Sequence, residues 1–504
     1  MKGTIKKAYY LMKSVYESDL SKKYHVYNNH FLLEIIHHLK RIIATPRSNT
    51  LRKLYSQNRL DESLLSTFTY HDLHNVLQYS VPLFKELSSY IYRVNLERLG
   101  KKPVVKVAFF THSATLWSCD QLYALFESDS HFEVSIVVPG FDNGTAITIQ
   151  EEYESTLSYF RQKGYNVIGV SPYSKGTWND IGIPDIIIHL TPYYKTLPRD
   201  VNIFHVPLTS LNIYLPYGLS TVGNYWVFDT PGAQMSWKIF CETDTCKSMI
   251  HSHSVLGSTN VVPSGHPKMD VLLKPDVSYN SKDIWKISPN TSLTGVKKII
   301  YSPHHSIYYD TIRFSTFHQN YRAMYEYAKA HQTTTSWVVK PHPLLRKNTV
   351  QYGLFKSEKE FDEYMDLWDA LPNARTVRNG VYDDVFLTSD AMVMDCGSFL
   401  AEYTLMNKPL IFLRRPEQEW NECGNELMRV VYSVEGDNIE DIYSTIDDVI
   451  VSGNDYKVAE RVKLLSDIFN IPGLYCGGMS ASNKIYCYIC ESLGVSDTSF
   501  VVDS

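Results

Sequence analysis

The clearest structural signal in the chain is the stretch SDAMVMDCGSFLAEYTLMNKPLIFL, residues 389–413. Two apolar runs, Ala391–Met394 and Pro409–Leu413, flank a segment whose apolar residues have helical spacing. A strand, a helix and a second strand in this order predict a parallel βαβ unit. Gly397 and Ser398 lie where the first strand turns into the helix. Because the first N–H groups of a helix have no partner inside it, this junction is either an ordinary serine cap or an anion-binding site.

Short apolar runs alternate with helical patterns over most of the chain. The first series comprises Val104–Phe110, Phe132–Val138, Asn166–Val170, Ile186–Leu190 and Ile203–Val206. The second series comprises Lys297–Tyr301, Trp337–Lys340, Ala374–Val377, Ala391–Met394 and Pro409–Leu413. The break between them, near residues 258–295, contains a polar and turn-rich segment. We therefore predict an α/β protein with two Rossmann-like domains facing a cleft, at 101–275 and 296–490, after a helical N-terminal region at 1–100.

The composition is that of a globular protein with more than one domain. The chain has 504 residues, of which 44% are hydrophobic and 20% are charged, and these fractions exclude a disordered chain. The eight cysteines are scattered, a pattern that predicts reduced thiols rather than a disulfide framework. No apolar run reaches the roughly 18 residues of a membrane span, and the first residues lack the apolar core of a signal peptide. We therefore expect a cytoplasmic protein.

The charge is unevenly distributed along the chain. Residues 1–60 carry a net charge of +9, from 12 basic and three acidic residues, whereas the whole chain carries −5. Five apolar residues of this region share one helical face: Leu32, Ile35, Ile36, Leu39 and Ile43. Such a segment either lies on an anionic membrane surface or packs as a helical subdomain with solvated charges, and the sequence leaves both open. The acidic remainder contains no nucleic-acid-binding module, so we expect no nucleic-acid partner.

Polar side chains follow several predicted strands, at the edge where open parallel sheets bind their ligands. In the first series these residues are His112, His205, Thr209 and Ser210. In the second series they are His304, His305, Ser306, Lys340, His342, Asp395, Gly397 and Ser398. A single histidine at such a position is more often structural than functional, but several positions on two facing domains favour a functional site.

Five motifs occur in order along the chain and resemble those of one family. They are FHVPLTSLNI (204–213), SGHPKMDVLL (264–273), KKIIYSPHHSI (297–307), WVVKPHPLL (337–345) and the stretch at 389–413. The ordered set resembles the CDP-glycerol glycerophosphotransferase family, which contains teichoic-acid and capsule polymerases. The resemblance covers roughly residues 105–415. It implies a GT-B fold, with an acceptor domain at 101–275 and a nucleotide-donor domain at 296–490.

The resemblance implies roles for individual residues. The family's HGTPLK motif, which carries its catalytic histidine, matches HVPLTS and implies that His205 is the catalytic base, although the glycine and lysine of the motif are missing. The family's basic-x-His-Pro motif matches at Lys340 and His342, which makes His342 a second catalytic candidate. The donor-binding candidates are His304, His305, Ser306, Lys340, Asp395, Gly397, Ser398 and Glu402, and the acceptor-binding candidates are His112, Thr209 and Ser210.

The chain departs from the family pattern at two points of the expected donor site. In the run Tyr301–Ser306 the family's arginine is absent and two histidines appear, and in the run DCGS the family's first serine is replaced by Gly397. Glu402 either contacts a ribose or polyol hydroxyl or is an ordinary solvated helix residue. The sequence contains no Asp-x-Asp triplet of the kind that holds a divalent ion. We therefore expect no metal or other cofactor, and we expect N–H groups and cations to stabilise the leaving nucleotide.

The expected reaction is transfer of a polyol phosphate from a CDP-activated donor to a capsule or teichoic-acid-like polymer or to a lipid-linked acceptor. A base of near-neutral pKa must remove the proton of the acceptor hydroxyl, and histidine suits this task. Two alternatives stay open. One is a GT-B glycosyltransferase that uses a nucleotide sugar in surface polysaccharide synthesis, and the other is a non-catalytic membrane scaffold. We expect the protein at the inner face of the cell membrane, bound peripherally through residues 1–60.

Overall fold

The computed structural model describes residues 88, 89, 91–140, 149–171, 178–192, 209–223, 225–228, 233, 236–254, 257–273, 284–289, 291, 295–308, 312–378, 382–471 and 478–495. Within these residues the chain forms two separate sheets, and every strand pair in both sheets is parallel. A helical segment at 91–99 precedes the first sheet. The basic region at 1–60 lies outside the described residues.

The first sheet has seven strands in the order β3-β2-β1-β4-β5-β6-β7. Its strands are β1 Val105–Phe110, β2 Phe132–Pro139, β3 Val167–Val170, β4 Ile186–His189, β5 Leu211–Tyr214, β6 Lys238–Cys241 and β7 Val261–Pro263. The helices of this half are α1 Asp120–Ser128, α2 Ile149–Gln162, α3 Trp178–Ile181, α4 Asp244–His253 and α5 Pro267–Leu272. In β4 the run Ile186, Ile187 and Ile188 is β-branched and fully buried, as expected for a parallel sheet that is covered on both faces.

The second sheet has six strands in the order β10-β9-β8-β11-β12-β13. Its strands are β8 Lys297–Ser302, β9 Thr335–Val339, β10 Ala374–Thr376, β11 Ala391–Met394, β12 Leu410–Arg414 and β13 Tyr432–Glu435. The helices of this half are α6 Phe317–Ala330, α7 Leu345–Gln351, α8 Glu358–Ala370, α9 Asp383–Thr388, α10 Gly397–Leu405, α11 Glu422–Arg429, α12 Ile439–Thr445 and α13 Val458–Phe469. The βαβ unit predicted at 389–413 is confirmed as β11, α10 and β12.

The strand predictions are confirmed wherever they fall on described residues. One predicted strand, Ile203–Val206, lies outside these residues. The sequence patterns missed β5, β6, β7 and β13, which have only three or four residues each. Periodicity does not separate a strand from a loop at this length, although β3, β4, β10 and β11, which are equally short, were predicted.

The C-terminal helix α14, Ala481–Leu493, packs on the core of the first half although it follows the second sheet along the chain. Asp270 in α5 fixes the start of this helix. Its carboxylate accepts hydrogen bonds from the backbone N–H groups of Ala481 at 2.9 Å and Ser482 at 2.8 Å. A carboxylate in this position satisfies N–H groups that have no partner inside the helix. The end of the predicted second domain therefore packs with the first half.

The two halves contact each other through the loops that follow β5 and β12. Val222 and Trp420 form an antiparallel bridge, and the N–H group of Asn421 donates to the carbonyl oxygen of Thr221 at 3.0 Å. The carboxyl edges of the two sheets therefore face each other, and the predicted GT-B-like arrangement is confirmed. Among the described residues, no helix is both long and apolar enough to cross a bilayer.

Candidate active site

The second sheet has its topological switch point between β8 and β11. These two strands are neighbours, and the chain continues from β8 to β9 and β10 on one side and from β11 to β12 and β13 on the other. Open α/β sheets bind ligands at the carboxyl ends of the strands beside such a point. The structure brings there predicted donor-site residues from three loops: His304, His305, Ser306, Lys340, His342, Asp395, Gly397 and Ser398.

Three histidine rings from two of these loops form a cluster. The ring centroids of His304 and His305 are 4.3 Å apart, and those of His305 and His342 are 4.2 Å apart. Each of the three residues has one ring nitrogen that could bind a ligand, and these three nitrogens all lie within 4.8 Å of one another. This spacing alone suits either a metal ion or the oxygens of a phosphate. The hydrogen bonds that the rings make decide between the two.

The backbone fixes the protonation pattern of two rings. The N–H group of Leu344 donates to Nδ1 of His342 at 3.1 Å, and the N–H group of Ser306 donates to Nδ1 of His304 at 3.3 Å. A ring nitrogen that accepts a hydrogen bond carries no proton, so the proton of the neutral ring is on Nε2. A metal-bound histidine has the opposite pattern, because its second nitrogen donates to a neighbour. The cluster therefore favours N–H donation to an oxyanion over metal binding.

Burial keeps these rings neutral. Burial, reinforced by the neighbouring His305, holds the pKa of both His304 and His342 well below 6.5. The third ring is held by Asn348, whose amide nitrogen lies 2.9 Å from Nδ1 of His305. An N–H donor that carries no net charge can stay ready in a buried site at neutral pH, because it needs no counter-ion.

Two predicted donor ligands instead position His304. The hydroxyl of Ser306 lies 2.8 Å from Nδ1 of His304 and accepts a hydrogen bond from the N–H group of Phe314 at 2.9 Å. The carboxylate of Asp395 accepts from the N–H group of His304 at 2.5 Å, and from the N–H and hydroxyl groups of Thr316 at 2.5 and 2.9 Å. Burial raises the pKa of Asp395 to about 7. Because both carboxylate oxygens bond to the protein, Asp395 fixes the loop after β8.

Lys340 supplies a cation to the same edge. Its side chain follows β9 and is buried, and its Nζ lies 5.0 Å from the ring centroid of Tyr382. None of the ion pairs between described residues includes Lys340, although Lys268 of the same region is paired. Burial lowers the pKa of Lys340 from 10.5 to about 8. A buried ammonium group that no described carboxylate pairs with favours the binding of an anion.

The junction at Gly397 and Ser398 does not contain an ordinary serine cap. Helix α10 begins at Gly397, and its N-cap residue is Cys396, whose side chain makes no capping hydrogen bond. Ser398 is exposed in the first turn. A Cβ atom at Gly397 would lie 2.5 Å from Cγ2 of Val222 in the first half. Glycine is therefore required at this position because the first half packs closely against it, and not because a ligand approaches the backbone there. The N–H groups of the first turn and the Ser398 hydroxyl are the anion-binding candidates of this helix.

Glu402 belongs to a buried charged cluster, so its interpretation as a solvated residue is wrong. The hydroxyl of Tyr382 donates to Oε2 of Glu402 at 3.1 Å, and Nζ of Lys268 lies 3.9 Å from the same oxygen. Nζ of Lys268 also lies 2.5 Å from Oδ1 of Asp383. Burial raises the pKa of Glu402 to about 7, against the opposing effect of Lys268. The motif SGHPKMDVLL contains Lys268, but the sequence alone did not indicate its partners.

The first half brings two histidines to its own switch point, between β1 and β4. His112 follows β1, and burial lowers its pKa to about 4. His189, which the sequence patterns did not indicate, ends β4, and its Nε2 atom lies 3.2 Å from Oδ1 of Asn212. Burial lowers the pKa of His189 to about 4 as well. The predicted catalytic residue His205 lies outside the described residues.

Two predicted acceptor-binding residues lie at the opposite edge of the first sheet. Thr209 and Ser210 directly precede β5, so they belong to its amino end. The hydroxyl of Ser210 donates to the carbonyl oxygen of Pro184 at 2.6 Å, and Arg98 donates to the carbonyl oxygen of Thr209 at 2.6 Å. The sequence predicts that they follow a strand, whereas β5 begins directly after them. The structure therefore does not bring them together with His112.

The comparison with protein families agrees with this geometry. Residues 237–471 match the model of the family described as CDP-Glycerol:Poly(glycerophosphate) glycerophosphotransferase. Over these residues, which are less than half of the chain, the sequence is similar to that family. It is a transferase, and the resemblance inferred from the five motifs is confirmed. The segment that matches the glycerophosphotransferase family includes the second sheet, the histidine cluster and Lys268.

Solved structures share the fold of this chain. A protein from Listeria monocytogenes described as a UDP-N-acetylglucosamine 2-epimerase is 15% identical, with a TM-score of 0.51 over 78% of this chain and 98% of its own. The wall teichoic acid polymerase TagF is 12% identical, with a TM-score of 0.50 over 85% of this chain and 99% of its own. At these identities the likeness concerns the fold alone. No curated protein sequence matches the chain.

Proposed function

We propose that the chain transfers a polyol phosphate from a CDP-activated polyol to a teichoic-acid-like or capsule polymer or a lipid-linked acceptor, and that it needs no metal. The observation that carries this proposal is the cluster of three histidines, of which burial keeps His304 and His342 neutral, beside the buried cation of Lys340. Directed N–H donors and one ammonium group are what a diphosphate requires where no metal ion neutralises its charge. The family match supports a donor of the CDP-glycerol type.

In this proposal the acceptor hydroxyl attacks the phosphorus atom that carries the polyol. The new O–P bond forms as the P–O bond to CMP breaks, and CMP leaves with the electron pair. His205 takes the proton of the acceptor, a role that rests on the family motif and is worth about 10²–10⁴-fold in rate. The histidine cluster, Lys340 and the first turn of α10 stabilise the charge that develops on CMP. His342 acts as an N–H donor, because its Nδ1 already accepts a backbone hydrogen bond.

The basic region at 1–60 supports a location of the enzyme at the membrane surface. A lipid-linked acceptor lies at a membrane, so an enzyme that uses one must reach the bilayer surface. The net charge of +9 in this region supports binding to anionic lipids. We therefore place the enzyme at the inner face of the cell membrane, where it binds peripherally.

Two replacements of His342 distinguish an N–H donor from a metal ligand. Glutamine places its amide NH₂ group near the position of Nε2, whereas asparagine reaches only the position of Nδ1. His342→Asn should weaken CDP binding by about 10–100-fold, the equivalent of one charge-assisted hydrogen bond, whereas His342→Gln should retain most of the affinity. Calorimetry with CDP and with cytidine should show that cytidine binding is unchanged in both variants. Equal losses for CDP and cytidine would contradict a diphosphate site.

A donor panel tests the reaction itself. Turnover should occur with CDP-glycerol or CDP-ribitol, and EDTA should leave it intact. Turnover with nucleotide sugars alone would establish the glycosyltransferase alternative, and no turnover with any donor would favour the scaffold. Activity that EDTA abolishes and Mg²⁺ restores would contradict the metal-independent part of the proposal.

A further inference from the structure

Lys268 is a buried cation of the first half whose ionic partners lie in the second half. Its side chain is 4% exposed, as is that of Glu402. Its Nζ contacts Oδ1 of Asp383 at 2.5 Å, Oε2 of Glu402 at 3.9 Å and the ring of Tyr382 at 4.4 Å from the centroid. Removal of one partner from such a cluster leaves a buried charge without compensation, which is strongly unfavourable.

The two oxygens of Glu402 have different surroundings. Oε2 accepts the hydrogen bond from Tyr382 and faces Lys268. Oε1 is directed towards Gly218, a residue after β5 in the first half, and lies 3.8 Å from the position that a Cβ atom would occupy there. One carboxylate oxygen is thus fixed by the protein, while the other faces a residue without a side chain at the interface of the halves. An oxygen in this position is suited to accept a hydrogen bond from a hydroxyl group.

The same cluster explains why Lys340 pairs with no carboxylate among the described residues. The Nζ atoms of Lys268 and Lys340 lie 4.4 and 5.0 Å from the centroid of the same ring, that of Tyr382. Both carboxylates of the cluster, Asp383 and Glu402, are within 4 Å of Lys268 and of no other described lysine. Lys268 is therefore the ion-pair partner of both carboxylates, and the ammonium group of Lys340, which makes no such pair among the described residues, is left to the diphosphate.

We propose that Lys268 is a positioning residue for the donor: it holds Oε2 of Glu402 from across the interface, so that Oε1 accepts a hydrogen bond from a hydroxyl group of the donor. This inference rests on the proposed function, because the hydroxyl belongs to the ribose or the polyol of the CDP-activated donor. The donor site is complete only while the halves are in contact, since the first half contributes a residue to it.

The ionisation of Glu402 gives this role a measurable signature. Glu402 is ionised above a pKa of about 7, and the charged or titratable groups that act on it are Lys268, Asp383, Tyr382 and Lys340. Lys268 lowers this pKa against the effect of burial. Replacement of Lys268 by an uncharged residue therefore raises the pKa of Glu402. Because Glu402 then stays protonated up to a higher pH, weak binding of the donor should extend to a higher pH as well.

The experiment measures the Kd of CDP-glycerol, CDP and 2′,3′-dideoxy-CDP by calorimetry between pH 6 and pH 9. The proteins are the wild type, Lys268→Met, Lys268→Arg, Glu402→Gln and the double variant that combines Lys268→Met with Glu402→Gln. Lys268→Met should weaken CDP-glycerol binding about tenfold or more at pH 7, and Lys268→Arg should recover most of it. The double variant should be no weaker than Glu402→Gln. A loss shared by CDP-glycerol and CDP assigns the ribose hydroxyls, and a loss confined to CDP-glycerol assigns the polyol.

A purely structural role for Lys268 predicts a different outcome. The losses of the two single variants would then add in the double variant, and the pH profile would keep its position; this result overturns the proposal. If the wild type binds neither CDP-glycerol nor CDP, the proposed function fails. In that case the protonation of Glu402 can still be measured without a donor, from infrared difference spectra that use Glu402→Gln as the reference. If this protonation is the same in Lys268→Met as in the wild type, the positioning role is overturned by that result alone.

Discussion

The hydroxyl of Thr221 donates to the backbone carbonyl oxygen of Gly397 at 2.6 Å, which joins the loop after β5 to the first residue of α10. Val222, the next residue in that loop, covers the α-carbon of Gly397. The first turn of α10 is also part of the proposed diphosphate site. The contact between the halves and the shape of the donor site therefore depend on the same residues.

Gly397→Ala should disturb this contact. The added Cβ atom would lie 2.5 Å from Cγ2 of Val222 and 3.3 Å from Cε1 of Phe314. Overpacking of this kind costs about 1–3 kcal/mol. We expect urea unfolding to show a loss of that size, together with a higher KM for the donor. Val222→Ala removes the Cγ2 atom and should restore at least half of the lost free energy when combined with Gly397→Ala.

Ser398→Ala is the matched control for this prediction. Ser398 lies in the same helical turn but is exposed, so the variant should change the free energy of unfolding by less than about 0.5 kcal/mol. A loss in Gly397→Ala that Val222→Ala does not reduce would show that the contact with the first half is not the cause.

Donor affinity should fall as the pH rises through about 8. Burial lowers the pKa of Lys340 to about 8, so its ammonium group is charged below that pH and loses its charge above it. The Kd of CDP should rise about tenfold between about pH 7 and pH 9.5 in the wild type, because the ammonium group is lost over this range. Lys340→Arg should keep the profile flat, because a guanidinium group stays protonated over this range. Lys340→Met should bind CDP weakly both at about pH 7 and at about pH 9.5.

Lys408 provides a control for the pH dependence. Burial lowers its pKa to about 8 as well, but its Nζ donates to the carbonyl oxygens of Phe386, Leu387 and Ser389 at the end of α9. Lys408→Arg should leave the pH profile of CDP binding unchanged. A profile that flattens in Lys408→Arg and not in Lys340→Arg would show that the titrating cation is Lys408, and this would contradict the prediction.

His205→Ala should lower kcat by about 10²-fold or more and leave the Kd of CDP nearly unchanged. The reason is that a general base acts on the acceptor proton and not on the nucleotide. Single-turnover kinetics with a short acceptor measure the effect. His131→Ala is the control, because His131 is half exposed and pairs with Asp129 at the start of β2. Wild-type turnover in His205→Ala would remove this residue from the mechanism.

The sequence predicted the elements of the donor site better than the contacts between them. The runs that became β8, β9 and β11 contain three or four consecutive apolar residues, and the polar residues after them came together at one edge because parallel strands share that edge. The role of Gly397 could not be predicted, since its constraint comes from Val222 in the other half of the protein. The local pattern indicated either a serine cap or an anion-binding site at this junction, whereas the need for glycine comes from packing between the halves.

The acceptor half was harder to predict for a related reason. Thr209 and Ser210 were placed after a strand because the run at 203–206 is apolar, yet β5 begins immediately after them and puts them at the amino edge. Lys268 was visible in a motif, but a lysine reveals its role only through partners, and Asp383 and Glu402 are far from it in the chain. Contacts of this kind form where the two halves pack against each other, and the periodicity of the sequence does not predict them.

The basic N-terminal region should bind full-length protein to anionic membranes. Residues 1–60 carry a net charge of +9, and each basic residue close to an anionic surface contributes about 1 kcal/mol. The apolar face at Leu32, Ile35 and Ile36 adds to this by insertion at the interface. In flotation assays the protein should float with phosphatidylserine vesicles at low salt and be released at about 1 M salt, where the Debye length falls to about 3 Å. Deletion of 1–60 should abolish flotation and preserve turnover of a short soluble acceptor, whereas a packed helical subdomain predicts an unstable truncated protein and no flotation of the intact one.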